Sequence, residues 1–204
     1  MSEVRKYIFV TGAPGSKWSS VARSIWHSPD VDRSDDKNEY AEGNVRHQGA
    51  YWDPGMEYGD FFNRMDEYSK EELEKEFDRP FSGEGVRIIK SHHFANFLPF
   101  IRETWPECPI VMCHRSDDAC LGWWVKAGGF DITYPDYSYY RNLKMMGIQI
   151  ATQNRGIRTF IANNMFWYSS DLDSSMLCSL LKIKYSGIEQ KYAKDDIKVY
   201  LNWS

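Results

Sequence analysis

The sequence has no apolar run near the roughly 18–20 residues that a membrane-spanning helix needs. Met1 to Lys6 lead straight into a short apolar strand without the apolar stretch of a secretory signal, so a cytoplasmic location and no membrane partner are expected. Cysteine is scarce. Cys108, Cys113, Cys120 and Cys178 show no CxxC spacing and lie in apolar segments, which argues against a zinc ribbon or a disulfide framework and predicts reduced, buried thiols. Basic residues are not in excess: the net charge is −4 and the pI about 5.8, so no nucleic-acid partner is expected. His27, His47, His92, His93 and His114 lack an HExxH-like spacing, and no metal site is expected. Internal repeats and low-complexity tracts are also absent.

What is present suits one globular domain, residues 1–204, with eight Trp, 13 Tyr and 11 Phe to fill a core. Charge is unevenly spread. Residues 28–85 carry 17 acidic and 7 basic side chains, whereas the remainder carries 12 and 18. This reads as an acidic, aromatic-rich insertion on a basic body, and a basic body suits a small anionic ligand.

Lys6–Thr11 is a β-rich run ending in Gly12, followed by helical periodicity over Lys17–Trp26. Within the insertion the capping box Ser69–Glu72 announces a helix over Lys70–Phe77. Strands are then predicted at Val86–Ser91, Pro109–His114 and Met165–Ser169. Helices are predicted at Asn96–Thr104, Asp117–Lys126, roughly Tyr139–Asn163 and Ser174–Leu181. Strands alternating with helices predict an α/β fold, a mainly parallel central sheet covered on both faces. In such sheets ligands bind beyond the carboxyl ends of the strands, which singles out three segments.

The first is GAPGSKWSS, Gly12–Ser20, where glycines allow a tight turn with inward-pointing N–H groups and the following helix offers its positive end. Lys17 adds a full charge; Ser16, Ser19 and Ser20 add hydroxyl donors. It fails as a Walker A motif, because Lys17 stands where GxxxxGK[ST] requires glycine. The second is KSHH, Lys90–His93. If extended backbone persists there, Lys90 and His92 point to one side and His93 to the other, and a histidine base with a lysine neutralising a transferred group suits a transfer reaction. A structural histidine pair is the competing reading. The third is HRSDD, His114–Asp118: Ser116, Asp117 and Asp118 are accounted for as a helix cap and first-turn acids, while Arg115 suits bidentate binding of a phosphate.

Taken in this order, the three segments resemble the sulfotransferase family that uses 3'-phosphoadenylyl sulfate. IFVTGAPGSKWSS looks like the family's 5'-phosphosulfate loop, with Pro14 and Ser16 on the motif's Pro and Ser. Lys90-Ser91-His92 resembles its Lys-Thr-His, which implies His92 as general base. CHRSDDACLGWW resembles its Arg-containing segment, which implies Arg115 on the cofactor's 3'-phosphate. MFWYSSDL and the following SSMLCSLLKIK are similar to its later strand, turn and core helix. The resemblance implies a P-loop-like three-layer domain that moves a sulfuryl group from 3'-phosphoadenylyl sulfate to a hydroxyl or amine, leaving adenosine 3',5'-bisphosphate. The implied cofactor-binding residues are Gly12, Pro14, Gly15, Ser16, Lys17, Trp18, Ser19, Ser20 and Arg115, with His92, Lys17 and Lys90 catalytic.

The chain departs from that pattern in places. The family's basic residue after the loop proline falls on Gly15, and its 3'-phosphate serine on Gly122. Its C-terminal Arg-Lys-Gly loop finds only the weak candidate Arg155-Gly156. Trp123 and Trp124 read as core. Two other readings stand beside the first: a P-loop nucleotide or small-molecule kinase, since the loop also resembles GAPGSGKGT with one Gly deleted, and a catalytically inactive nucleotide-binding module. The expected acceptor is a small molecule or glycan. Tyr51, Trp52, Tyr58, Phe61 and Phe62 are candidates to wall its pocket or, equally, to pack the insertion onto the body.

Overall fold

The computed structural model describes residues 6–37, 62–131, 138–164, 167–169 (backbone only), 173–188 and 197–202. The first strand, β1 (Tyr7–Gly12), is buried along its whole length, as its unbroken apolar run requires. The Gly-rich turn follows it, then α1 (Trp18–Trp26), then α2 (Lys70–Asp78), where the expected capping box is formed reciprocally between Ser69 and Glu72. Further along lie β2 (Arg87–Lys90), a 3-10 helix at His92–Asn96, α3 (Leu98–Thr104), β3 (Ile110–His114) and α4 (Asp117–Lys126). A 3-10 turn at Ser138–Arg141 leads into the long α5 (Leu143–Asn163), and β4 (Trp167–Ser169), α6 (Ser174–Leu180) and β5 (Lys198–Asn202) complete the described elements.

The sheet order is β2-β1-β3-β5-β4. β1 pairs in parallel with β2 (Val10 opposite Lys90) and with β3 (Val10 opposite Val111), whereas β5 runs antiparallel to both β3 and β4. Four strands therefore point one way, and β5 lies against them. The sequence reading did not include β5. Only Val199 and Leu201 of its five residues are fully buried apolar side chains, and pairing on both sides rather than local pattern makes it a strand.

Alternation along the strands builds the two faces. Tyr7, Phe9, Ile89, Ile110 and Met112 pack with Leu73 and Phe77 of α2, Leu98 and Ile101 of α3, and Ile157 and Phe160 of α5. On the opposite side Ile8, Val10, Ile88, Val111 and Cys113 pack with Val21 and Ile25 of α1 and Leu177 and Cys178 of α6. The result is an α/β fold in three layers. Among the described residues no helix is long and apolar enough to cross a membrane, and all four cysteines are free and buried.

The described parts of residues 28–85 are built into this body. Val31 bridges Val86, and the Ser34 hydroxyl accepts from the Ser82 and Gly83 amides at 2.7 and 2.9 Å. Phe62 and Phe77 join an aromatic cluster with Phe9, Phe94 and Trp105, with ring centroids 4.9–5.7 Å apart between neighbours such as Phe62–Phe94 and Phe9–Phe94. Phe62 is fully buried there, so it is a core residue and not a wall of an acceptor pocket. Tyr51, Trp52, Tyr58 and Phe61 lie outside the described residues.

At the rim of this core, Asp78 accepts from the Tyr7 hydroxyl at 2.8 Å, from Lys6 at 2.7 Å and from Arg87 at 2.5 Å. Burial pushes the Asp78 carboxyl up, but the hydrogen bonds from Lys6, Tyr7 and Arg87 outweigh it and hold the group below its ordinary 3.8. Its contribution to stability is therefore present above that value and lost as pH falls through the lower, folded one. Asp78→Asn is expected to cost about 1 kcal/mol at neutral pH after allowance for solvent screening. Urea unfolding at pH 7 and pH 3 checks this: the gap from the wild type should narrow in acid.

Candidate functional site

Because β2, β1 and β3 are adjacent and parallel, their carboxyl ends meet at one edge of the sheet, with the loop after β1 between the other two. Thr11 at the end of β1 donates to the Ser91 carbonyl just beyond β2 at 2.7 Å. On the other flank the Arg115 guanidinium donates to the Gly15 carbonyl at 3.4 Å.

The loop itself is a tight turn. The Ser16 amide donates to the Ala13 carbonyl at 2.9 Å across Pro14 and Gly15, and Gly15 has φ 82°, the arrangement of a type II turn. A side chain at Gly15 has no room as well as the wrong φ, since a Cβ would lie 2.0 Å from the Cys120 carbonyl oxygen. α4 thus rests its backbone directly on the loop. Lys17 follows with φ 64° and ψ 20°, a left-handed conformation that costs a non-glycine residue about 1–2 kcal/mol. It caps α1 without a side-chain hydrogen bond to the helix, and the first turn of α1 contains no acid. That end of α1 keeps its positive character beside the loop. Ser16 Oγ is buried and meets no hydrogen-bond partner among the described residues, while Ser19 and Ser20 are half-buried in the first turn.

The two lysines stand on aromatic faces. The Lys17 ammonium lies 4.1 Å from the centroid of Trp123, which Lys126 also approaches at 5.9 Å. Trp123 is 36% exposed, so of the two tryptophans expected in the core only Trp124 is there, stacked against Tyr140 at 4.9 Å. Helix α4 turns its Trp123 face outward, toward the loop's lysine. Lys90 is buried, with its ammonium 5.7 Å from the ring of the likewise buried Trp18.

Extended backbone ends at Ser91, whose hydroxyl accepts from the His93 amide at 3.1 Å and starts the 3-10 helix. The expected alternation of His92 and His93 therefore does not occur: their rings lie side by side with centroids 4.0 Å apart. Both are buried. Burial pushes His92 down to about 4, with the hydrogen bond between its ring and Gln153 acting the other way. Burial, then the neighbouring His92, pushes His93 well below the usual imidazole range. His92 is therefore neutral at pH 7.

On the third strand end, Ser116 accepts from the Ala119 amide at 3.4 Å, and Asp117 and Asp118 occupy the first turn of α4, as expected of a cap. Arg115 is half-exposed beside the loop.

Two site residues escaped the sequence reading. Gln153 Nε2 lies 2.8 Å from His92 Nδ1, and Asn154 Nδ2 donates to the Arg115 carbonyl at 2.9 Å and to Asp117 Oδ1 at 2.6 Å. Consecutive residues of α5 thus secure the two flanks of the loop. A signal existed: both amides occupy the buried stripe Met146, Ile150, Gln153, Asn154, Ile157, where apolar residues are the rule. Arg155-Gly156, by contrast, lies inside α5 and forms no phosphate loop. Gly156 lets α5 cross the 3-10 helix closely, since a Cβ there would be 2.1 Å from the Ala95 carbonyl oxygen.

Among the described residues no group of three or more His, Cys, Asp or Glu is arranged to hold a metal ion. Comparison of the chain with protein-family models, curated proteins and solved structures returns no match.

The neutral His92 has a consequence for stability. The unfolded chain takes up a proton near pH 6.5, whereas folded His92 resists protonation until about pH 4. Stability should therefore fall as pH drops through this window, by about 3 kcal/mol on account of His92. His92→Gln should flatten part of that slope, as measured by urea unfolding between pH 7 and 4.5. Equal slopes in the two proteins would contradict a buried neutral ring.

Proposed function

We propose that this chain is a sulfotransferase dependent on 3'-phosphoadenylyl sulfate, built on a P-loop-like α/β domain with the segment at about 28–85 as its insertion. One observation carries the reading: the loop Gly12–Ser20 lies between a histidine at the tip of β2 and an arginine at the tip of β3, on one edge of the sheet.

The residues present suit the donor's anionic groups. Loop amides, the start of α1 and the hydroxyls of Ser16, Ser19 and Ser20 would hold the 5'-phosphosulfate, the buried Ser16 Oγ meeting no hydrogen-bond partner among the described residues. Lys17, half-buried and steered by Trp123, supplies charge neutralisation, and Lys90, buried behind Trp18, adds a second amine. Arg115 would take the 3'-phosphate. One departure from the family pattern has a physical reason. No side chain fits at Gly15 beneath α4, so the basic group moves to Lys17. At Gly122, exposed in α4, no hydroxyl assists Arg115.

The donor supplies a sulfuryl group already activated for displacement. Transfer then needs positioning and charge stabilisation more than a strong base, in parallel with phosphoryl transfer. A neutral His92 can accept the acceptor's proton once one ring nitrogen presents its lone pair to it. The acceptor is a small molecule or glycan.

A kinase is the second reading. Lys17 adopts a left-handed conformation, which glycine takes without cost, and a Walker A loop carries glycine at that position. Calorimetric titration separates the two. Adenosine 3',5'-bisphosphate should bind without added metal and more tightly than ATP with Mg²⁺, and Arg115→Ala should weaken it about tenfold or more. Preference for ATP with Mg²⁺ would favour the kinase.

Mass-spectrometric detection of labelled sulfate on pooled carbohydrates, phenols and peptides identifies the acceptor. With it in hand, His92→Gln should lower kcat by about 10²–10⁴ while leaving bisphosphate binding unchanged. Bisphosphate binding without transfer to any pool would favour an inactive binding module.

A further inference from the structure

Resting on that reading, we propose that Gln153 is the positioning residue of His92: its carboxamide holds the imidazole through Nδ1 and decides which ring nitrogen carries the proton. Gln153 is fully buried on α5, 2.8 Å from Nδ1, and its Oε1 meets no hydrogen-bond partner among the described residues. The two ends of a carboxamide have nearly the same shape, so a half-turn exchanges NH₂ for C=O at the imidazole. With NH₂ toward Nδ1, the ring proton sits on Nε2, and neither nitrogen is available as a base. With C=O toward Nδ1, the Nδ1–H donates to it and Nε2 carries the lone pair. The second arrangement is the catalytic one.

In that arrangement the acceptor hydroxyl gives its proton to Nε2 while its oxygen forms a bond to sulfur. The bond from sulfur to the 5'-phosphate oxygen breaks, and its electron pair leaves with the bisphosphate. The imidazolium, held by the Gln153 carbonyl, then releases the proton to solvent.

A neutral amide orients the ring without adding a negative charge that would stabilise the imidazolium. His93, at 4.0 Å between ring centroids, and Tyr139, edge-on at 6.3 Å, face His92. This matches a base that stays neutral through the physiological range. The neighbouring Asn154 secures Arg115 and Asp117, so α5 orients the base and the donor-side arginine from one rigid turn.

Gln153→Glu and Gln153→Leu test the assignment. In ¹⁵N-labelled protein, long-range ¹H–¹⁵N spectra report the protonation of each His92 nitrogen. With adenosine 3',5'-bisphosphate added, the wild type should show a protonated Nδ1 and a bare Nε2 at pH 7. Gln153→Glu should raise the His92 titration by about 1–3 units and move the acid limb of kcat upward with it. Gln153→Leu should lower kcat about tenfold or more while leaving the donor's KM and bisphosphate affinity unchanged. Should Gln153→Leu not fold, Gln153→Glu, which keeps the size and the hydrogen bond, carries the test. His92 nitrogen shifts that are the same in wild type and Gln153→Glu would overturn the assignment, as would an unchanged pH profile. The imidazole spectra need no turnover, so they distinguish this failure from that of the donor reading, which shows as loss of bisphosphate binding in the wild type.

Discussion

Parallel pairing of β1 with β2 on one side and β3 on the other is the constraint from which the site follows. It brings three chain segments, separated by up to about a hundred residues, to one edge of the sheet, where their first turns meet. Thr11 to Ser91 and Arg115 to Gly15 then join neighbouring ends directly. Neither link would form if one of these strands ran the other way, because its turn would open at the opposite edge.

The edge is unusually polar for its depth. Lys90, Ser91, His92 and His93 at the end of β2 are buried, as are Gln153 and Asn154, which reach them and the end of β3 from α5. Placing such groups out of water costs stability unless each finds a partner. The structure partly compensates through α5, whose paired amides serve both flanks of the loop, and through the aromatic faces under Lys17 and Lys90. The aromatic cluster of Phe9, Phe77, Phe94 and Trp105 packs on one face of the sheet and is continuous with the 3-10 helix through Phe94, next to His93. Close backbone contacts join elements at finer scale, with α4 on Gly15 and Gly156 on the 3-10 helix.

Legibility from sequence was uneven for physical reasons. Helix α4 was read to the residue because Ser116, Asp117 and Asp118 mark its start by local chemistry. The strands β1, β2 and β3 were read within one residue at either end, as apolar runs bounded by turns. The side-chain directions of His92 and His93 were not, because alternation assumed an extended backbone that Ser91 ends by capping a 3-10 helix. Trp123 and Trp124, identical in local pattern, went to opposite environments because only one faces Lys17 across the loop. Of the two roles open to Phe62, packing onto the body is the one it takes.

By itself the sequence determined the alternation of strands and helices, the caps, and the tight glycine-bearing turn after β1, because each depends on residues only a few positions apart. Tertiary structure alone decided that β5 enters the sheet antiparallel, that the two imidazoles stack instead of diverging, and that Gln153 and Asn154 reach across from α5. Those outcomes depend on contacts between residues tens of positions apart, whose energies exist only once the chain has closed on itself.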